Sequence, residues 1–141
     1  FCQSAGLRRH ELEMLRGTDL TYCNGQYYVH VYQGKGGKAR DAIVIGNVDN
    51  VVKLMTKAKE NKVFGKVHSA ANIHGYRRDY AAALYKQLAR DLSKLPKSEI
   101  YCCRQDKRQV HYDKAAMRVV SNNLGHNRIS VIAGHYLDEV R

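Results

Sequence analysis

The sequence predicts an α+β domain, mostly α-helical with a small antiparallel sheet. Apolar residues recur at helical spacing in several stretches, above all Tyr76, Tyr80, Leu84, Leu88 and Leu92 at unbroken i+4 intervals. Residues 26–33 carry the β-branched and aromatic content of a strand and are followed by a glycine-rich turn and a returning run. A chain of 141 residues suits one domain around one core.

Taken in order, Leu7, Leu12 and Leu15 with Glu11 and Glu13 predict a short first helix ending at Gly17. Asn24-Gly25 is a turn signal, and residues 26–33 are the strand that leaves it. Gly34-Lys35-Gly36-Gly37-Lys38 is a flexible turn and residues 39–45 a returning strand, so together they make a β-hairpin with a lysine at its tip. Asp49 can cap a helix with Val51, Val52, Met55 and Ala58 on its apolar stripe, ending near Asn61. The long helix from about His74 is closed by Pro96, and its stripe places Tyr76 and Tyr80 in the core. Residues 99–112 read as a second small hairpin or an extended loop. Asp113 caps a helix bearing Met117, Val120 and Leu124, which Gly125 breaks, and a last short helix from Asn127 leads to Tyr136.

The 24 Lys and Arg outnumber 13 Asp and Glu, leaving a net charge of +11 that suits a polyanion, nucleic acid before membrane surface. No apolar run approaches the roughly 20 residues of a membrane span, and the N-terminus lacks a secretory core, so an intracellular protein is expected. A first residue of Phe1 rather than Met reads as an excised piece of something longer, with an N-terminal partner domain expected. Cys2, Cys23, Cys102 and Cys103 have neither CxxC spacing nor His at zinc-ligand distance, so reduced thiols are expected. Cys102 and Cys103, adjacent in an extended segment, point to opposite faces, which argues against a redox pair. The glycine-rich turn lacks the P-loop pattern and precedes a strand, which argues against nucleotide binding of that kind.

Basic residues then recur in an order that ends in a tyrosine: Arg8, Lys35, His74, Arg77, His126 and Tyr136. His74 and Arg77, three apart at a helix start, share a face and can reach one phosphate. Two arginines, a lysine and two histidines around a tyrosine are what phosphodiester transfer without a metal requires. A phenol with a pKa near 10 needs a proton acceptor and strong positive potential to attack phosphorus. His74 is the acceptor candidate. Arg8 and Arg77 suit the non-bridging oxygens, because guanidinium matches phosphate bidentately and stays charged. Lys35 can protonate the departing oxygen, a step worth about 10²–10⁴-fold. His126 would donate to the phosphate or steady Tyr136, and Glu11 would orient its catalytic neighbours. Lys38, Arg40, Arg78 and Arg128 are candidate DNA phosphate contacts.

In these pieces the chain resembles the catalytic domain of the tyrosine recombinases, the phage-type and conjugative-element integrases. AGLRRHELEML carries Arg8 in the first-arginine position, QGKGGKAR carries Lys35, HGYRRDYAAALY carries the His74 and Arg77 pair, and LGHNRISVIAGHYL carries His126 and Tyr136. The resemblance covers residues 4–138. It implies a helical fold with a three-stranded antiparallel sheet, site-specific cleavage and rejoining of double-stranded DNA through a 3′-phosphotyrosine, and no metal or other cofactor. It further implies a cytoplasmic, nucleoid-associated bacterial protein that assembles as a tetramer on DNA. With little chain after Tyr136 to exchange between protomers, the isolated piece is expected to be a monomer. Many members place the tyrosine nine residues after the LGH histidine, where this chain has His135. Two alternatives share part of the pattern: a type IB topoisomerase-like nicking-closing enzyme, and a basic DNA-binding remnant of a mobile element without chemistry. The GKGGKAR and LGHNRIS elements favour the integrase, and an intact set of six argues against decay.

Overall fold

The computed structural model describes residues 1–67, 71–103, 110–126 and 128–137. Two short helices open the chain, α1 (Cys2–Ala5) and α2 (Arg9–Met14). A three-stranded antiparallel sheet follows in the order β1 (Leu20–Cys23), β2 (Gln26–Val31) and β3 (Arg40–Ile43). Then come α3 (Val48–Ala58), α4 (Ile73–Leu88), a two-stranded hairpin of β4 (Ile100–Cys102) and β5 (His111–Asp113), α5 (Lys114–Leu124) and α6 (Ile129–His135). Among the described residues no helix is long and apolar enough to cross a membrane.

The sheet has the three strands that the resemblance implies. Strand β1, with Thr21 and Tyr22, is joined to β2 by the Asn24-Gly25 turn, where both residues have positive φ (52° and 81°), as a type I′ hairpin turn requires. The turn sets the register Leu20↔Val29 and Cys23↔Gln26, while β2 pairs Val29↔Ala42 and Val31↔Arg40 on its other side. Between β2 and β3 the backbone turns at Lys35–Gly37, where Gly36 and Gly37 both take positive φ, so the bend is a glycine turn and not a regular 3₁₀ turn.

Helix α4 corrects one expectation. Its N-cap is Asn72, whose side chain accepts from Gly75 N, and it ends at Leu88, with Leu92 in a separate 3₁₀ turn. The buried face is Arg77, Tyr80, Ala81, Leu84 and Tyr85, while Tyr76 is 39% exposed and Leu88 is also exposed. Each i+4 step turns about 40° past a full turn, so five residues at that spacing fan too widely to share one core face. The α3 cap also differs slightly: Asn47 precedes the helix and Asp49 lies in its first turn.

Two clusters of buried side chains fill the domain. One joins α1, α2, the three-stranded sheet and α3 through Leu7, Leu12, Val29, Val44, Val51 and Met55. The other joins α4, the small hairpin, α5 and α6 through Tyr80, Leu84, Met117, Val120, Leu124 and Ile132. Polar groups sew the seam between them. Tyr80 Oη donates to Ile43 O at 2.7 Å, Ile43 N donates to Asn123 Oδ1 at 2.6 Å, and Ile45 N donates to Ser4 O at 2.9 Å. Cys102 is exposed and Cys103 buried, the opposite orientation expected of neighbours in an extended segment.

Asp113 anchors the second cluster. It is fully buried, caps α5 by accepting from Ala115 N at 3.0 Å, and accepts from Arg90 N, Nε and Nη2 at 2.9 Å each. The Arg90 guanidinium holds its carboxyl well below the usual aspartate range. An N-cap is worth about 1 kcal/mol. Asp113→Ala is therefore expected to lower the melting temperature by at least about 2–4 °C, read by calorimetry; an unchanged melting point would contradict this anchoring role.

Candidate active site

The candidate site lies on the seam, with Arg8, Glu11 and Arg40 coming from the first cluster's elements and Arg77, His126 and Tyr136 from the second's. Arg77 projects from the buried face of α4, leaving the residue 6% exposed. Its Nε donates to Gly6 O at 2.9 Å, its Nη2 to Leu124 O at 2.6 Å, and its Nη1 to Tyr136 Oη at 3.3 Å. One guanidinium thus spans the turn after α1, the carboxyl end of α5 and the end of α6. Burial, the largest influence, pushes its pKa below the usual arginine value, with Arg8 and Arg40 adding to that and Tyr136 opposing it. Arginine stays charged through such shifts.

Tyr136 caps α6 and is 3% exposed. Its Oη lies 3.2 Å from His126 Nε2, and the Arg77 guanidinium carbon lies 5.8 Å from its ring centre. The rings of His74 and His126 flank it at centroid distances of 5.5 and 5.4 Å. Because Arg77 can only donate, the phenol oxygen accepts from it, and the phenol's own hydrogen can go to His126 Nε2. His126 is presented by the α5 terminus: Gly125 takes the left-handed conformation (φ 79°, ψ 25°), His126 N donates to Ser121 O, and Ser121 Oγ donates to His126 O, both at 2.9 Å. His74 stands one turn before Arg77 on α4 and is exposed.

Arg8 precedes α2. Its backbone N–H donates to Glu11 Oε1 at 2.8 Å and its Nη1 to Oε2 at 3.4 Å, while its Nη2 is buried with no hydrogen-bond partner among the described residues. Glu11 is bound more tightly by Arg40, whose Nη1 and Nη2 reach Oε2 and Oε1 at 2.8 and 2.7 Å. Burial would raise the Glu11 pKa; the hydrogen bonds from Arg40 first, and those from Arg8, reverse this and hold it at about 2. A carboxyl held below its ordinary 4.5 stabilises the fold above that pH, and the contribution fades as pH falls toward 2. The melting temperature should therefore hold from about pH 7 to 5 and decline below about 4.5, less steeply in Glu11→Gln; equal slopes in both proteins would rule out this linkage.

Seven of the residues singled out in sequence, Arg8, Glu11, Arg40, His74, Arg77, His126 and Tyr136, lie in this one region. Lys35 sits on the turn between β2 and β3, and its side chain lies outside the described structure, as does that of His135, the last residue of α6. Among the expected phosphate contacts, Lys38 and Arg128 are exposed, and Arg78 is half-buried, its Nε lacking a hydrogen-bond partner among the described residues. Arg40 differs: sequence groups it with surface contacts, but its side chain is buried between Glu11 and Asn123 O. Sequence reasoning did not single out Gly6 or Asn123, and it read Gly125 only as a helix breaker. A Cβ on Gly125 would come within 2.9 Å of Arg8 Nη1 and 3.0 Å of Arg40 Nη1, so the glycine lets both guanidiniums approach. Its place between Leu124 and His126 was the signal available.

No protein-family model and no curated protein matches the sequence. Among solved structures the chain is similar to the XerH site-specific recombinase in two complexes. For XerH bound to palindromic difH substrate, a post-cleavage complex, the TM-score is 0.57 at 18% identity, over 95% of this chain and 39% of that one. For XerH bound to difH substrate, a pre-cleavage complex, it is 0.55 at 16% identity, over 99% and 41%. The chain therefore spans about two-fifths of the length of the structures it matches. At this identity the likeness shows the fold, which is tyrosine recombinase-like.

Proposed function

We propose that the chain carries the catalytic domain of a tyrosine recombinase, which cleaves and rejoins DNA through a covalent 3′-phosphotyrosine at Tyr136 in site-specific recombination or integration. The observation that carries this reading is the phenol oxygen of Tyr136 within hydrogen-bond reach of both Arg77 Nη1 and His126 Nε2. A buried tyrosine held between a guanidinium and an imidazole has, in one place, a nucleophile, a charge for the phosphate and an acceptor for the phenol proton. The likeness to XerH, a recombinase seen on its substrate before and after cleavage, supports the same chemistry.

In this reading Arg8 and Arg77 hold the non-bridging oxygens of one phosphodiester. Tyr136 Oη attacks phosphorus as its proton passes to imidazole. His126 Nε2 stands nearest for that transfer, with the His74 ring beside the phenol. The bond from phosphorus to the 5′ oxygen breaks, and Lys35, on the hairpin tip, gives that oxygen a proton. Attack of a free 5′ hydroxyl on the phosphotyrosine reverses the sequence and joins a new strand. The arginines supply the charge that a metal ion would otherwise bring, so cleavage proceeds without divalent metal. Double-stranded DNA is the partner, bound through phosphate contacts by a chain of net charge +11, and DNA-dependent assembly into a tetramer follows the family pattern. The test is incubation with a nicked duplex whose cleaved fragment diffuses away. A covalent protein–DNA adduct formed in the presence of chelator is expected, and its absence across a range of cleavable duplexes would count against the reading.

A further inference from the structure

A buried carboxylate beside a phosphate-binding arginine competes with the phosphate. Glu11 is such a carboxylate, with its side chain 1% exposed and its Oε2 3.4 Å from Arg8 Nη1. Left to itself, a carboxylate draws an adjacent guanidinium into a two-pronged pair, and Arg8 would then have fewer donors for a substrate. Here Arg40 occupies both Glu11 oxygens, at 2.8 and 2.7 Å, and its Nε donates to Asn123 O at 2.9 Å. Every nitrogen of the Arg40 guanidinium is engaged, and the side chain is 8% exposed, so it does not lie open to DNA. Among the described residues Arg8 is left with one long side-chain contact to Glu11 and a buried Nη2 that has no hydrogen-bond partner. Buried donors are almost always paired, and one left without an acceptor beside a cluster of cations points to an anionic ligand.

The same guanidinium joins the elements that bring the site together. A Cβ on Gly34, just before Lys35, would lie 2.9 Å from Arg40 Nη1 and 3.3 Å from Glu11 Oε2, and one on Gly125, just before His126, would lie 3.0 Å from Arg40 Nη1. The base of the lysine hairpin, the start of α2 and the end of α5 therefore meet at Arg40. Its charge matters as well as its reach. Arg8 and Glu11 alone would form a neutral pair; with Arg40 the trio keeps one positive charge, to which Arg77 adds another.

We propose that Arg40 is a positioning residue of the strand-transfer site: it holds both oxygens of Glu11, which leaves Arg8 to the substrate phosphate, and it seats the lysine hairpin against the segment that presents His126. This inference rests on the phosphodiester reading of the site. It is tested by measuring adduct formation in single turnover at saturating DNA, together with DNA affinity and melting, for the unaltered protein, Arg40→Gln, Arg40→Lys, Glu11→Gln and the double variant Arg40→Gln with Glu11→Gln. Arg40→Gln is expected to slow adduct formation about 10²-fold, the cost of misdirecting one charge-stabilising group. DNA affinity should change less than about threefold, because the guanidinium is not on the surface. Adding Glu11→Gln should restore at least about tenfold of the rate, since the carboxylate that would capture Arg8 is gone. Arg40→Lys keeps the cation while holding one oxygen, and it decides the matter if melting shows Arg40→Gln unfolded: Glu11→Gln must then accelerate Arg40→Lys. A double variant no faster than its Arg40 parent, or a loss of DNA affinity as large as the loss of rate, overturns the inference. Absence of adduct with the unaltered protein would instead overturn the reading beneath it.

Discussion

Tyr136→Phe is expected to abolish the covalent adduct while leaving DNA affinity within about twofold, because it removes one oxygen from a residue that is 3% exposed. Phenylalanine keeps the ring that packs between His74 and His126 and loses only the hydroxyl that meets Arg77 and His126. The stability cost should be about 1–3 kcal/mol, because the hydroxyl's two hydrogen bonds, to Arg77 and His126, are lost together. The catalytic cost should be complete, since no other atom at that position can attack phosphorus. The tyrosine stands ten residues after His126, one place beyond the usual family spacing, and the α6 helix nevertheless ends with its hydroxyl at the imidazole. Peptide mapping separates the alternatives. A phosphotyrosine survives acid, whereas attachment through His135 would give an acid-labile phosphoramidate. Adduct in Tyr136→Phe, or DNA mapped to His135, would remove Tyr136 from the role of nucleophile.

Arg77→Ala should damage both fold and chemistry, and the two losses can be told apart. Gly6 O and Leu124 O would lose their Arg77 donors, at about 1–3 kcal/mol for each buried acceptor left unpaired. Melting should fall accordingly. Adduct formation should drop by about 10²–10³-fold even at temperatures where the variant is folded, the usual cost of removing a preorganised donor from a developing negative charge. Arg77→Lys keeps a cation but cannot reach Gly6 O, Leu124 O and Tyr136 Oη together, so it should be better folded than Arg77→Ala and still slow. A lysine variant that cleaves at the original rate would mean that Arg77 acts only as a point charge, and an alanine variant with an unchanged melting point would mean that its backbone bonds are not made in solution.

Elements governed by near neighbours were legible in the chain. Asp113 caps α5, Gly125 ends it in the left-handed conformation, and Asn24-Gly25 turns β1 into β2, each through contacts within a few residues. The order of Arg8, Lys35, His74, Arg77, His126 and Tyr136 was legible too, since motif spacing survives as a pattern in one dimension. Which face of α4 is buried was legible only in part. The i+4 spacing nominated Tyr76, Tyr80 and Leu84, but packing against α1 and α5 buries Tyr80 and Leu84 together with Arg77 and leaves Tyr76 exposed.

By itself, then, the sequence determined α5 with its Asp113 cap and Gly125 stop, the hairpin with Lys35 at its turn and the excess of positive charge, and it nominated a set of residues able to handle a phosphate. The tertiary structure decided which cations stay at the surface and which are spent within the protein. Arg40 and Lys38 lie two residues apart in a basic run, yet Lys38 is exposed, whereas the Arg40 side chain is buried on Glu11, 29 residues away, and on Asn123, 83 residues away. Local pattern carries no record of such partners. A guanidinium goes to whichever carboxylate or carbonyl the packed cores leave without another donor, because a buried acceptor without one is costly, and that is settled only when the two halves of the chain close on each other.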